Sequence, residues 1–372
     1  MHEREPQDSH KALGEFGRAP QGSKALKRTS AGVVALLLIG IMMFLPTNFM
    51  IRSPGPVFNT LGKDEDNGKD VISIAGEKTF PSQSELDLLT IYVQGGGQNR
   101  VTIPVVLEAL LNPNKDVVPE ETILAHGSSS QQQNEQNDQM MTSSQDLAIA
   151  AALSELGYDF KTWLTVADFS AETNSKSLKK GDRLLKYNGQ DISSLEELKK
   201  SLNSNGDKPA ELIVGRKDKN GDYKDVAVPV KTDEADGERQ LGVYLSTEHK
   251  FPIDVQFGLQ NVGGPSAGMM FALGIIDRLT DGSLAGNHHV AGTGEISADG
   301  AVGPIGGIAQ KMVAAKNAGA TIFLAPADNC NEVVGRVPDG LNVLKISTLS
   351  QARTALTKIA DGENPANFAT CE

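Results

Sequence analysis

Between Arg28 and Arg52 the chain carries no Asp, Glu, Lys or Arg. The intervening run TSAGVVALLLIGIMMFLPTNFMI, residues 29–51, is 23 residues long, and one helix of that length crosses a hydrocarbon core of about 30 Å. Lys11, Arg18, Lys24, Lys27 and Arg28 precede the run, whereas only Arg52 follows it before Lys63. This bias sets residues 1–28 as a cytoplasmic tail, 29–51 as a single transmembrane helix and everything after it as extracytoplasmic. A cleavable signal is the alternative, but such a signal ends in small residues, and here Pro46, Asn48, Phe49 and Met50 close the run. Pro46 is tolerable near the outer end, where it terminates or bends the helix.

The remaining length leaves room for two domains or more. Thirty-five Lys and Arg against 47 Asp and Glu give a net charge of -12, which excludes a general nucleic-acid binder because the basic footprint is missing. Two cysteines, Cys330 and Cys371, are too few for a disulfide scaffold or a four-cysteine zinc site. Outside the cytoplasm they are able to pair, and the sequence leaves that pairing open. No G-x-x-x-x-G-K-[ST] phosphate cradle, H-E-x-x-H zinc motif or G-x-G-x-x-G fingerprint occurs, so no cofactor and no metal are expected.

Past the apolar run, Val71–Ile74 and Leu88–Val93 read as strands and Pro104–Leu111 as a short helix. The tract HGSSSQQQNEQNDQMMTSSQ reads as a polar surface excursion, followed by a helix in DLAIAAALSELG that ends at Gly157. Residues 156–240 have the pattern of a small β-rich module: TWLTVADF, a turn at Asn188-Gly189, the helix LEELKKSLN, then AELIVGR and DVAVPV. Residues 52–155 are then either a separate small domain or the first half of a fold that this module interrupts.

Residues 241–372 hold the densest chemistry. Gly264-Pro265-Ser266-Ala267-Gly268 has the G-x-S-x-G form, which exposes a serine at a helix start beside backbone N–H groups. Ser266 is a candidate nucleophile or an ordinary residue at a helix N-terminus. No histidine follows His289, and His288 and His289 fall in a stretch that reads as loop, so the usual serine-acid-histidine order is absent. A serine without an imidazole is able to use a neutral lysine as its base. Lys311, in GIAQKMVAAKNAG, shares its helix face with Ile308, Ala314 and Ala315, the apolar setting that disfavours an ammonium, although a snorkelling surface lysine fits the same pattern.

The combination GGPSAG, AGTGEI, GPIGG and K-x-x-x-A resembles the proteolytic domain of the Lon family. The resemblance implies Ser266 as nucleophile, Lys311 as general base and Thr293 as a hydroxyl that supports the lysine. It places the oxyanion region around Gly264, Pro265 and Ala267. One departure is Gly263-Gly264, where that family commonly carries Asp-Gly. Residues 156–240 resemble a PDZ domain through Gly181-Asp182, Asn188-Gly189 and the helix after them, but YDFKTWLTV lacks the Gly-rich carboxylate-binding loop. PGPVFNTLG, FGLQNVGGPSAGMMFALG and GPIGGI together resemble a bacterial, membrane-anchored, ATP-independent Lon-like branch containing PDZ.

The expected fold is therefore α+β: a Lon-type proteolytic domain from 52–155 and 241–372, an inserted PDZ-like domain at 156–240, and an N-terminal transmembrane helix. The expected activity is a serine endopeptidase with a Ser-Lys dyad, acting on peptide or protein substrates at the bacterial membrane, with no nucleic acid partner. A homo-oligomer is admitted, and subunit number stays open. The alternative is a catalytically inactive PDZ-containing binding or regulatory protein. A lipid or small-ester hydrolase is a third reading, favoured by a deep apolar pocket.

Overall fold

The computed structural model describes residues 33–34, 36–38, 40–124, 130–192, 194–235, 237–260 and 262–371. The expected cytoplasmic tail and the start of the apolar run lie outside them. Among the described residues no helix is long and apolar enough to cross a membrane. Described positions between 33 and 43 are helical, but the end of the run is not: Phe49 opens a strand, Phe49–Asn59, so the helical boundary expected at Ile51 is corrected to before Pro46. The reason is local. Thr47 donates its N–H to Val101 O at 2.8 Å, and Met50 and Ile51 are then buried in a sheet rather than turned outward.

That sheet has six strands in the order Asn342–Ile346, Ile322–Pro326, His289–Gly292, Glu85–Gly95, Phe49–Asn59, Asp116–Pro119. The first three pairings are parallel and the last two antiparallel, a mixed α/β arrangement that meets the expected α+β class only in its coarser sense. Proline and glycine at 54–56 interrupt the ladder, where the register shifts between Pro54 and Val57. Residues 54–59 are thus the bulged second half of strand Phe49–Asn59.

Strand alternation divides the apolar residues between two cores. Leu88, Val290, Leu324 and Leu344 face helices Gly268–Leu279, Ser130–Glu155 and Leu349–Ala360. Their neighbours Leu89, Ala291, Phe323 and Val343 face helix Ile308–Ala318. Side chains of successive strand residues point to opposite faces, so near-continuous apolar strands require helices on both sides.

Helix Ser130–Glu155 corrects a second expectation, because residues 130–145 of the polar tract form its first half; the start of the tract lies outside the described residues. Gln, Glu and Met favour helix and the segment has no Gly or Pro. Its polarity shows only that this half meets water, while Ala148–Leu153 anchor the other half in the core.

The inserted module has its own core around Leu164, Leu184, Leu198, Leu212 and Val228. Its sheet runs Val243–Lys250, Lys161–Phe169, Arg183–Tyr187, Ala210–Lys217, Tyr223–Val230, with helix Leu195–Asn205 capped by Ser194. Val243–Lys250 pairs along Lys161–Phe169, so this sheet ends at Lys250 rather than at residue 240. At the junction, His249 Nδ1 lies 2.6 Å from Asp146 on helix Ser130–Glu155, and its ring stacks on Phe251.

Cys330 and Cys371 form a disulfide across a separation of 41 residues and tie the segment after helix Leu349–Ala360 to the core around helix Ile308–Ala318. Loop closure of that length contributes about 4 kcal/mol in a chain-entropy treatment. Cys371→Ala should therefore lower the urea midpoint, with a loss of stability approaching about 4 kcal/mol. An unchanged midpoint in the oxidised wild type and the variant would show that this bond contributes nothing to the folded state.

Candidate active site

The carboxyl end of strand His289–Gly292 lies where the two helical layers come within side-chain reach of each other. Helix Gly268–Leu279 packs on one face of the sheet and Ile308–Ala318 on the other. Thr293, the first residue after the strand, sits between them, fully buried. The Lys311 stem spans the gap. Its Nζ is 2.7 Å from Ser266 Oγ and 2.9 Å from Thr293 Oγ1.

Ser266 stands on a turn held from several directions. Gly264 adopts φ +89°, a conformation that strains any side-chain-bearing residue. At Gly268 a Cβ would meet Ile296 at 2.6 Å and Ser144 Oγ at 2.8 Å, so only glycine lets the helix start so close to its neighbours. Ser266 O accepts from Thr293 Oγ1 and from Gly294 N, both at 2.9 Å. From helix Ser130–Glu155, Ser144 Oγ donates to Pro265 O at 3.0 Å, and Asn137 O accepts from Gly264 N at 2.9 Å.

Ser144 and Asn137 were missed in the sequence because their tract read as a surface excursion. A signal did exist for Ser144. It lies in a buried stripe with Met141, Ala148 and Ala152, and one hydroxyl in an apolar stripe needs a partner.

The bonding pattern orients the lysine. Thr293 commits its hydroxyl proton to Ser266 O, so toward Lys311 its oxygen acts as acceptor. One amine N–H therefore points at Thr293, and in the neutral amine the lone pair is free to receive the Ser266 hydroxyl proton. Lys311 is 2% exposed, among Ile308, Met312 and Ala315. Burial of the charged form holds its pKa down from the ordinary 10.5 to about 7. Lys316, further along the helix, is exposed and donates to Gly340 O at 3.4 Å.

The oxyanion region expected at Gly264, Pro265 and Ala267 is corrected in part. Pro265 has no N–H, and the Gly264 N–H is engaged by Asn137. Among the described residues no acceptor faces the N–H groups of Ser266 and Ala267, which leaves these two as the available donors.

His289 is also corrected from loop to strand. Its Nε2 is 2.6 Å from Asp87 and its Nδ1 3.2 Å from Glu85, both on the neighbouring strand. Burial, partly offset by this bond, pushes the Asp87 carboxyl up. His288 precedes the strand. Among the described residues no three His, Cys, Asp or Glu side chains converge as a cage for a metal ion.

Residues 239–359 match the model of the Lon protease (S16) C-terminal proteolytic domain. Among curated proteins, the chain is 36% identical over 90 residues to Lon protease 2 of Bacillus subtilis, covering 24% of this chain and 16% of that one. It is 33% identical over 116 residues to the Lon protease of Buchnera aphidicola, covering 30% and 15%. With the Lon protease of Phenylobacterium zucineum identity reaches 42% over 85 residues, covering 23% and 10%. The chain thus spans a sixth or less of the length of these relatives. Residues 239–359, about a third of the chain, are thus similar to a Lon-type proteolytic domain.

A lysine held near neutrality by burial leaves a thermodynamic mark. Its folded pKa lies below the unfolded one, so the unfolded chain binds the extra proton and stability rises with pH from about 7 to 10.5. Relative to Lys311→Met, the wild type should gain roughly 4 kcal/mol over that interval. Parallel stability curves for the two proteins from pH 7 to 10 would mean that Lys311 is charged when folded.

Proposed function

We propose that the protein is a membrane-anchored, ATP-independent serine endopeptidase with Ser266 as nucleophile and Lys311 as general base. The observation that carries this reading is the 2.7 Å approach of a buried, near-neutral amine to the serine hydroxyl. Ser266 Oγ attacks the peptide carbonyl as its proton passes to Lys311 Nζ. Charge on the carbonyl oxygen is met by the N–H groups of Ser266 and Ala267. Lys311 then protonates the departing amine, leaving an ester on Ser266. A water molecule, deprotonated by the same amine, hydrolyses that ester and restores the serine. Thr293 positions the amine, and helix Ser130–Glu155 positions the turn.

The remaining parts of the reading rest on other features. The charge bias around 29–51 supports a retained anchor with the amino end in the cytoplasm and the catalytic region outside. The Cys330–Cys371 disulfide suits such an oxidising compartment. ATP independence rests on the missing phosphate cradle. The separate core of the 161–250 module supports a PDZ-like insertion that captures substrate segments.

Ser266→Ala and Lys311→Arg should each abolish cleavage of an unfolded protein substrate by the full chain, because guanidinium is a poor base. Thr293→Val should lower kcat about 10–100-fold, as expected for a lost general-base alignment. Log kcat/KM should rise by one per pH unit below about 7 and level off above it, since the neutral amine is the active form. Cleavage that survives Lys311→Arg, or a rate that falls as pH passes upward through 7, would reject the dyad, whereas no cleavage by the folded wild type would favour the non-catalytic binding reading.

A further inference from the structure

Helix Ile103–Leu111 buries only Val106 and Ala109 of its nine residues, against Ile51 and Val101. On its other side Leu107, Leu110 and Leu111 are 54%, 65% and 87% exposed. Their spacing of three and four residues places them on one face. The apolar surface continues onto the adjoining sheet. Phe49, Ile51 and Ser53 line one face of their strand and Tyr92 pairs directly with Ser53, so the exposed Phe49 and Tyr92 share the face that carries the helix. Exposed apolar residues clustered in this way mark an interaction surface rather than ordinary scatter.

The position of this helix selects its partner. The apolar run ends at Pro46 and Thr47, which are joined directly to the residues that open the helix. Pro46 bridges Thr102, and both the N–H and the Oγ1 of Thr47 donate to Val101 O. Nine residues span about 13 Å at 1.5 Å each, so every leucine on the helix lies close to the point where the run leaves its helical part. In the same run Leu36, Ile41 and Phe44 are also exposed. Charge does not oppose a lipid neighbour, because Glu108 is paired with Lys115 at 2.8 Å.

We infer that the leucine face of helix Ile103–Leu111, continued by Phe49 and Tyr92, lies in the outer surface of the phospholipid bilayer beside the anchor. The inference rests on the reading of 29–51 as a retained membrane helix. It adds a second contact, which orients the proteolytic domain against the membrane instead of leaving it free on a tether. An amphipathic helix in this position sets its apolar side about 5–10 Å into the headgroup boundary.

The test uses the full chain in phosphatidylcholine–phosphatidylglycerol vesicles that contain a spin-labelled quencher lipid. The native cysteines are bonded to each other, so an introduced cysteine takes a fluorescent label selectively. Leu110→Cys reports the proposed surface and Leu36→Cys the anchor. Lys358→Cys, on helix Leu349–Ala360 beside the opposite edge strand, reports background. Leu36 and Leu110 labels should both be quenched at least twofold and the Lys358 label should not. Quenching at Leu36 with none at Leu110 overturns the surface while leaving the anchor intact. Absence of quenching at Leu36 defeats the anchor reading and, with it, this inference. A Leu110 label that is blue-shifted yet unquenched assigns the face to a second protein chain, which also overturns the inference. To guard against a label that inserts by itself, Leu107→Glu and Leu111→Glu are added to Leu110→Cys. Quenching should then fall at least twofold with peptidase activity unchanged, and undiminished quenching rejects the helix as the contact.

Discussion

The desolvation of one amine is the constraint on which the candidate active site depends. A lysine in water is charged at neutral pH, and only removal from water makes it a base there. Lys311 meets that condition because it crosses from one helical layer to the other at the end of a central parallel strand, where both cores exclude solvent. Two-sided burial of the sheet and the chemistry of the site are therefore one feature. A sheet with one face in water would have left this lysine charged. Thr293 completes the arrangement by accepting one amine hydrogen, which fixes where the lone pair points.

The turn that carries Ser266 is held by a comparable economy of parts. It needs a left-handed glycine, a second glycine that permits close packing, and three outside donors to its carbonyls. Two of those donors follow the central strand and the third comes from helix Ser130–Glu155, which also accepts the Gly264 N–H. That helix carries Asp146, the partner of His249 at the edge of the inserted module. One rigid element thus braces the serine and receives the module.

Much of this was legible in the chain, and the failures have identifiable causes. Ser266 and Lys311 could be marked as candidates from a glycine-rich turn and an apolar helix face, and the resemblance to the Lon family singled them out and added Thr293. The 130–145 part of the polar tract was misread because polarity reports exposure and says little about backbone conformation, whereas propensity and the absence of breakers report helix. His289 was read as loop because a four-residue strand between turns has too short a period to detect. Pro265 could have been excluded as an oxyanion donor from its chemistry alone. The occupation of the Gly264 N–H could not, since its partner Asn137 lies far upstream.

The sequence by itself determined which residues were chemically able to act: one serine on a glycine-rich turn, one lysine among apolar neighbours, a run long enough to span a bilayer, and a pair of cysteines free to bond. These are properties of residue type and local period, and they survive without knowledge of the fold. Only the tertiary structure decided that Lys311 reaches Ser266, that the available N–H groups are those of Ser266 and Ala267, and that Cys330 meets Cys371. Each of those facts joins positions far apart in the chain. Such distances are set by how the strands order themselves and how the helices divide between two faces, and local sequence carries no measure of either.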